Sequence, residues 1–239
     1  MMHDNSGSPP RLRTLGTRTS VGSPHIIAPE PASVHPLEAS RSVQSPPKKL
    51  EEMTNAELWQ LFPVILAPHN PDYTDWYEAE RSGLTALPFS NDIRRISRIG
   101  SSAVKGLISK PTVDILLEID AQSDIDSIVT DIKNAGWLVM SDMRAPELKI
   151  SFNKGYTENG FADKVFHLHL RVCGDHSELY FRDYLSAHKD IADEYARLKL
   201  TLLEKYTRDR DAYTNAKTDF INIYTKKARA EFGKKYLPE

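Results

Sequence analysis

Apolar and polar side chains alternate in the middle of the chain. From Asp114 to Ile119, the residues Asp114, Leu116 and Glu118 share one face of an extended segment, and apolar residues fill the other face. Alternation with a period of two is typical of a β-strand. The segment is therefore predicted to be a strand whose two carboxylates point the same way.

A second alternating segment, residues 164–172, is also a predicted strand. One of its faces is apolar, and the other carries His167, His169 and Arg171. Three interpretations fit this polar face. The histidines could act as a general base or contact an anion of the substrate, they could form a hydrogen-bonded structural pair, or they could share a metal ion, although the spacing shows no third ligand.

The rest of the pattern predicts a mixed α+β fold. Apolar residues that recur with a period of about 3.6 indicate helices, and short apolar runs between loop residues indicate strands. In order, the predicted elements are helices over residues 54–62 and 72–87, a strand over 93–99, a short helix after Gly100, the strand that begins at Asp114, a helix over 123–135, strands over 137–140, 147–153 and 164–172, and three C-terminal helices beyond Ser177. The last two strands are predicted to form an antiparallel pair joined by a long loop.

Residues 1–50 differ in composition from the rest of the chain. They contain no Phe, Trp or Tyr, yet they hold eight of the fifteen prolines and eight serines. Such a segment buries too little apolar surface to offset the entropy that is lost on ordering. We therefore predict a disordered tail over residues 1–50 and one domain over residues 51–239.

Overall composition narrows the classes of function. The chain is 40% hydrophobic and carries a net charge of −2 over 239 residues, which is typical of a globular domain. No apolar run reaches the roughly 20 residues that span a bilayer, so we expect a cytoplasmic protein with no membrane partner. Arg94, Arg95 and Arg98 form a small basic cluster, but the domain is net negative and lacks a stacking motif, so extended nucleic-acid binding is not expected.

A turn at Gly100 is the first candidate for chemistry. Glycine allows the backbone to turn sharply, and Ser101 and Ser102 follow with hydroxyl and N–H groups at a predicted helix start. Helix starts favour anions. The turn is therefore a candidate phosphate site, and the strand that carries Asp114 comes shortly after it.

These motifs and several others resemble the GrpB family. The shared features near the turn are Ile-Gly-Ser at residues 99–101, Gly-Leu at 106–107, Lys-Pro at 110–111 and Asp-Ile at 114–115. The similarity continues through residues 153–157, 166–171, 180–188 and 216–221. GrpB proteins look like small members of the nucleotidyltransferase superfamily, so the resemblance implies a mixed sheet flanked by helices, with further helices at the C-terminus.

The resemblance also implies a function, which is the transfer of a nucleotidyl group from a magnesium nucleotide to an acceptor that the sequence does not identify. Asp114 would be the first magnesium ligand, and the Gly100 turn would bind phosphate oxygens. The residues implied or suggested for the site are Asp114, His167 and His169 for catalysis; Gly100, Ser101, Ser102, Lys110 and Arg171 for phosphate; Asp114 and Glu118 for metal; and Arg182 and Lys217 as secondary candidates that could close the pocket. Lys110 could equally be an exposed turn lysine, and Arg182 and Lys217 could be surface or ion-pair residues.

Two positions depart from the family pattern. The superfamily places a second acid two residues after the first, where this chain has Leu116, and family members commonly have a histidine where this chain has Arg98. Glu118 could replace the missing acid, although it lies about 6.6–7 Å further along the strand. Because of Leu116, the alternative is a non-catalytic module that binds a nucleotide or a coenzyme A precursor. Coenzyme A precursors are included because GrpB-like segments also resemble a domain that follows dephospho-CoA kinase in some proteins.

Overall fold

The structure is a computed structural model that describes residues 48–238. Residues 1–47, which make up most of the predicted tail, lie outside the described residues. The described part begins just before a 3-10 turn at Leu50–Glu52.

Five strands form one mixed sheet with the order β1-β2-β5-β4-β3. The strands are β1 (Ile93–Ile99), β2 (Val113–Ile119), β3 (Leu138–Met143), β4 (Lys149–Thr157) and β5 (Gly160–Val172). The central pair, β2 and β5, is parallel, and every other pair is antiparallel. The prediction of an α+β fold with a mixed sheet flanked by helices is confirmed.

Helices surround the sheet in the described part of the chain. They are α1 (Asn55–Leu61), α2 (Tyr73–Thr85), α3 (Ile125–Asn134), α4 (Ser177–Ala187), α5 (Lys189–Tyr206), α6 (Arg210–Asn215) and α7 (Thr218–Phe232). The predicted start of α1 is confirmed, because Thr54 and Glu57 form a reciprocal capping box. The short helix predicted after the glycine turn is a single 3-10 turn at Ser101–Ala103.

The two faces of the sheet differ in what they bury. On one face, Ile115 and Leu117 of β2 are fully buried in a cluster with residues of α2 and α3. On the other face, Leu116 packs against Leu179 of α4, and Asp114 is partly exposed. This alternation agrees with the predicted faces and leaves the polar side chains of β2 and β5 directed toward the C-terminal helices.

The pairing of β4 with β5 differs from the predicted long-looped pair. The strands are antiparallel as predicted, but they extend to Thr157 and Gly160, so the connection between them is short. Gly155 lies inside β4 at a register shift, with φ +88°, and a Cβ there would be 2.1 Å from the carbonyl oxygen of Lys164. The glycine therefore permits a bulge within the strand and does not end it.

Four helices follow β5 where three were predicted. The apolar residues from Tyr213 to Tyr224 have the spacing of a single helix, but α6 ends at Asn215 and α7 begins at Thr218. The amide of Lys217 bonds to the carbonyl of Thr214, and the Lys217 carbonyl then accepts from Ile221 as α7 starts. The break places Lys217 at the junction between the two helices.

A buried ion pair stabilises the polar face away from Asp114. Glu118 is fully buried, and its carboxylate accepts hydrogen bonds from the Arg95 guanidinium, one of them at 2.6 Å, and from the backbone N–H of Gly174 at 3.2 Å. Arg95 also donates to the Gly174 carbonyl. Because both carboxylate oxygens are occupied, Glu118 acts here as a structural anchor between β1 and β2.

We expect Arg95→Met to lower the free energy of unfolding by about 3–5 kcal/mol, because it leaves the buried Glu118 carboxylate without its cation. The neighbouring Arg94 pairs with Asp120 at the surface, so Arg94→Met is a matched control that should cost much less. Urea unfolding of the two variants measures the difference. Equal losses would contradict a structural role for the Glu118 pair.

Candidate functional site

A cavity of about 1410 Å³ lies on the polar face of β2 and β5, beneath the C-terminal helices. Its volume is sufficient for a nucleotide. Nine predicted site residues line it, namely Gly100, Ser101, Ser102, Lys110, Asp114, His167, His169, Arg171 and Lys217. Glu118 and Arg182 are not part of its lining.

Gly100 and Asp114 are fitted closely against each other. Gly100 has φ +73°, and a Cβ built on it would lie 2.3 Å from Oδ2 of Asp114. Glycine is required here for two reasons, since the backbone is left-handed and the carboxylate occupies the space of a side chain. The turn and the acid therefore form one unit, although 14 positions separate them in the numbering.

A chain of hydrogen bonds holds the Asp114 carboxylate. Oδ1 lies 3.0 Å from Nδ1 of His167, whose Nε2 is 2.8 Å from the hydroxyl of Tyr156. Arg210 donates to that hydroxyl at 3.0 Å. This pattern fits a neutral imidazole in which Nδ1–H donates to Asp114 and Nε2 accepts from Tyr156, so both ring nitrogens of His167 are occupied.

Asp114 is ionised over the whole neutral range. Burial favours its neutral form, but hydrogen bonds from His167 and His169 outweigh burial and hold the pKa of the carboxyl well below its usual range. His169 is held less tightly than His167, because its Nε2 lies 3.9 Å from Oδ1 of Asp114. Of the two histidines, His169 is therefore the one with a ring available to a ligand in the cavity.

Three lysines from separate segments line the same cavity. Lys110 precedes β2, Lys199 belongs to α5, and Lys217 lies between α6 and α7. Lys199 is 2% exposed and donates to the hydroxyl of Ser101 at 3.1 Å and to the carbonyl of Ile108. The Gly-Ser turn is thus tied directly to a buried ammonium group.

Tyr213 joins the other two lysines. Its ring centroid lies 4.3 Å from Nζ of Lys217 and 5.0 Å from Nζ of Lys110. Two ammonium groups therefore contact one aromatic ring. The ring attracts each of the two cations and holds them close together. Lys110 is half-buried and is not the exposed turn lysine that was one interpretation of its position.

Burial lowers the pKa of all three lysines. The pKa of Lys110 falls to about 7, and repulsion from Arg210 and Lys217 adds to the effect of burial. The pKa of Lys199 also falls to about 7, through burial and the charge of Lys217. The pKa of Lys217 falls to about 8, through burial that the negative charge of Asp114 partly offsets. A bound anion would therefore stabilise the charged form of these lysines.

Three buried hydroxyls in the cavity wall have no hydrogen-bond partner among the described residues. They belong to Ser102, Ser109 and Tyr213, each only 1% exposed. Buried polar groups are almost always paired, so such groups are available to a ligand or to ordered water. Tyr213 contacts Lys110 and Lys217, and Ser109 directly precedes Lys110, so this part of the cavity has donors for phosphate oxygens.

The predicted magnesium site does not match the donors that are present. Magnesium prefers several oxygen ligands, but Leu116 occupies the position of the second acid and Glu118 is bound by Arg95. Within residues 48–238, no group of three or more His, Cys, Asp or Glu side chains is arranged to hold a metal ion. The negative charge of Asp114 acts on Lys110 and Lys217, and its carboxylate already accepts a hydrogen bond from His167.

Other predicted residues have structural partners. Arg182 pairs with Asp183 and donates to the carbonyl of Arg98 at 2.8 Å, so it supports the end of β1 outside the cavity. Arg171 donates to the carbonyls of Ile150 and Leu170, in a part of the cavity away from the lysine cluster. Burial lowers the pKa of Arg171, and nearby glutamates oppose that shift.

Sequence reasoning missed three participants, Lys199, Tyr213 and Arg210. A signal was present for Lys199, because it falls between Tyr195 and Leu202 on the apolar stripe of α5, where a charged residue is out of place. Tyr213 lies on an apolar helical stripe, and such a position predicts a core residue. Nothing in the local pattern distinguished Arg210 from other surface arginines.

Comparison with known proteins identifies the family. The family model described as GrpB protein matches residues 63–227, more than half of the chain. This protein belongs to the GrpB family, as its motifs predicted. None of its helices in the described range is both long and apolar enough to cross a membrane.

Relatives and solved structures agree with this assignment. The chain is 30% identical to the glutamate-rich protein GrpB of Alkalihalophilus pseudofirmus over 162 residues, which cover 66% of this chain and 92% of the relative. It is 31% identical to a UPF0157 protein of Pseudomonas aeruginosa over 160 residues, 66% of this chain and 64% of that protein.

The crystal structure of GrpB from Enterococcus faecalis has the same fold, with a TM-score of 0.61 at 22% identity over 70% of this chain and 99% of that one. Cid1 poly(U) polymerase, solved with bound MgGTP, is similar over 64% of this chain and 46% of its own at 13% identity, with a TM-score of 0.41, which is too low to assign a function.

We expect Gly100→Ala to disrupt the site more than Gly106→Ala does. Both glycines have positive φ, but a Cβ at Gly106 would meet nothing within 4 Å, whereas at Gly100 it would meet Asp114. Backbone strain alone should make Gly106→Ala cost about 1–2 kcal/mol of stability. Gly100→Ala should cost about 3 kcal/mol or more, measured by urea unfolding. Equal costs would show that the contact with Asp114 does not constrain position 100.

Anion binding in the cavity should weaken as the pH rises from 6.5 to 9. Lys110, Lys199 and Lys217 lose their charge over this range because their pKa values lie at about 7 to 8. Sulfate is a suitable probe, since its own charge does not change between these values. Calorimetric titration at constant ionic strength should give a lower affinity at pH 9 than at pH 6.5, and a smaller change in Lys199→Met. An affinity independent of pH would contradict the shifted lysines.

Proposed function

We propose that this protein binds a nucleotide, or a small molecule that carries one, through its phosphate groups in the cavity. The proposal rests on the position of the Gly-Ser turn beside three buried or half-buried lysines. Lys199 donates directly to Ser101, and Lys110 and Lys217 share the ring of Tyr213. Phosphate is the common biological anion with enough charge to neutralise such a cluster.

The geometry supports phosphate over a simple carboxylate ligand. Lysine ammonium groups are compact point charges, whereas planar carboxylates are usually recognised by the forked guanidinium of arginine. At this end of the cavity the charged donors are three lysines, and Arg210 is engaged by the hydroxyl of Tyr156. Hydroxyls of Ser102 and Tyr213 add further donors. The cluster therefore suits a tetrahedral anion with several oxygens.

The rest of the cavity has room for the remainder of such a ligand. It continues from the lysines past His169 to the start of α4 at Ser177. That stretch accommodates a nucleoside or a longer group such as the pantetheine arm of a coenzyme A precursor. Nucleoside triphosphates, dephospho-coenzyme A and coenzyme A are therefore the ligands to compare first.

Nucleotidyl transfer is the second candidate, and the position of His169 favours it. An acceptor hydroxyl beside His169 would give its proton to the imidazole as its oxygen bonds to the α-phosphorus. The bond from that phosphorus to pyrophosphate would break, and the lysines would stabilise the leaving group. Assays with α-labelled nucleotides and a panel of hydroxyl acceptors test this step. Transfer that survives in His169→Gln would exclude the role of the base.

Lys217→Met should weaken nucleotide binding about tenfold, or about 1.4 kcal/mol. Lys227 of α7 provides a matched control, because its ammonium also lies over a tyrosine ring, at 4.7 Å from Tyr224, but it is exposed and outside the cavity. Thermal shifts and calorimetry with the three ligand types should show loss in Lys217→Met and none in Lys227→Met. The absence of a shift with any nucleotide would contradict the proposed function.

A further inference from the structure

Strand register determines the charge balance of the polar face. β2 and β5 run in parallel, so each residue on the polar face of β2 has a neighbour on β5. The neighbouring pairs are Asp114 with His167, Leu116 with His169, and Glu118 with Arg171. The face of β2 that would carry metal-binding acids therefore lies directly beside a row of basic side chains on β5.

On the polar face of β2, one carboxylate remains at the lysine end of the cavity. Leu116 is fully buried against Ile99 and Leu179, so the site of the second acid is part of an apolar cluster. Glu118 is neutralised by Arg95. Asp114 is the carboxylate of β2 that lines the cavity, and its Oδ1 is already hydrogen-bonded to His167. Asp211 of α6 also lines the cavity, but it is exposed.

The positive charge that a metal would supply comes from side chains of this chain. Lys110, Lys199 and Lys217 reach the cavity from three segments, and two of them contact the same ring. Like charges so close in a buried place repel each other until an anion neutralises them. The cluster is arranged for a ligand with several negative charges along its length.

We propose that the cavity binds the phosphate chain of a nucleotide free of divalent metal, with Lys110, Lys199 and Lys217 in the place of magnesium. The inference rests on the proposed function and makes it specific. Magnesium would neutralise part of the negative charge on the phosphate chain and so weaken its attraction to the lysines. The ligand class is a nucleoside di- or triphosphate without its metal.

The unpartnered hydroxyls support the same ligand. Ser102 and Tyr213 have no hydrogen-bond partner among the described residues and lie in the cavity wall. Metal-free phosphate oxygens accept hydrogen bonds from such donors, whereas oxygens that coordinate magnesium have fewer lone pairs to offer. The lowered pKa values of the lysines agree with ammonium groups that lack a bound anion.

The test is calorimetric titration of the full chain with ATP and with inorganic tripolyphosphate, in EDTA and in excess magnesium. We expect binding of both ligands in EDTA and about tenfold weaker binding in magnesium. Binding that requires magnesium would overturn the inference while it leaves the proposed function intact. Absence of binding in both conditions would overturn the proposed function itself, so the two failures are distinguishable.

Asp114→Asn tests whether the carboxylate helps to bind phosphate, as a metal ligand would, or opposes it through its negative charge. If lysines bind the phosphates directly, loss of one negative charge should tighten tripolyphosphate binding in EDTA by a few fold. Weaker binding in EDTA, with unchanged circular dichroism and unfolding midpoint, would overturn the inference. Because Asp114 also holds His167, a second pair of variants gives an independent reading.

The second pair is Lys110→Met and Lys105→Met. Lys105 is exposed, lies five positions earlier and is outside the cavity lining. Lys110→Met should lose about tenfold in affinity for tripolyphosphate in EDTA, and Lys105→Met should bind like the unmodified protein. Equal affinities in both variants would show that Lys110 does not take the place of a metal charge.

Discussion

The fit of the Asp114 carboxylate against Gly100 is the constraint on which the site depends. Because the carboxylate occupies the place of a Cβ, the turn can hold its left-handed conformation only with glycine. That turn positions Ser101, which accepts from Lys199 and so anchors α5 to the sheet. On the other side, His167 and Tyr156 fix the same carboxylate. One acid therefore sets the positions of β1, β2, β5 and a C-terminal helix.

Charge around this acid differs from what a metal-dependent transferase needs. The acid two residues further is replaced by a buried leucine, and the next one is used in an ion pair with Arg95. Lysines from three segments supply positive charge instead. In this chain the Gly-Ser turn therefore lies beside a cationic cluster, and the proposed phosphate binding rests on that cluster more than on the carboxylates.

Local patterns in the sequence predicted much of the fold and part of the site. Alternation placed Asp114 on the same face of β2 as Leu116, and glycine with serine predicted the turn, because both signals act within a few residues. The bulge at Gly155 was not predicted, since it depends on the close approach of Lys164. The break at Lys217 interrupts an apolar pattern that fits a single helix. Lys199 lies on the apolar stripe of α5, but its partner was missed. Its role comes from a contact with Ser101, 98 positions away, that periodicity does not encode.

In the proposed complex, phosphates bind at the Gly-Ser turn against the three lysines. A crystal structure of the full chain with ADP or tripolyphosphate, grown once in EDTA and once with magnesium, would locate them. We predict phosphate oxygens within hydrogen-bond distance of the ammonium groups of Lys199 and Lys217 in the metal-free crystals. Phosphates bound elsewhere, or held on Asp114 through a magnesium ion, would contradict direct binding by the lysines.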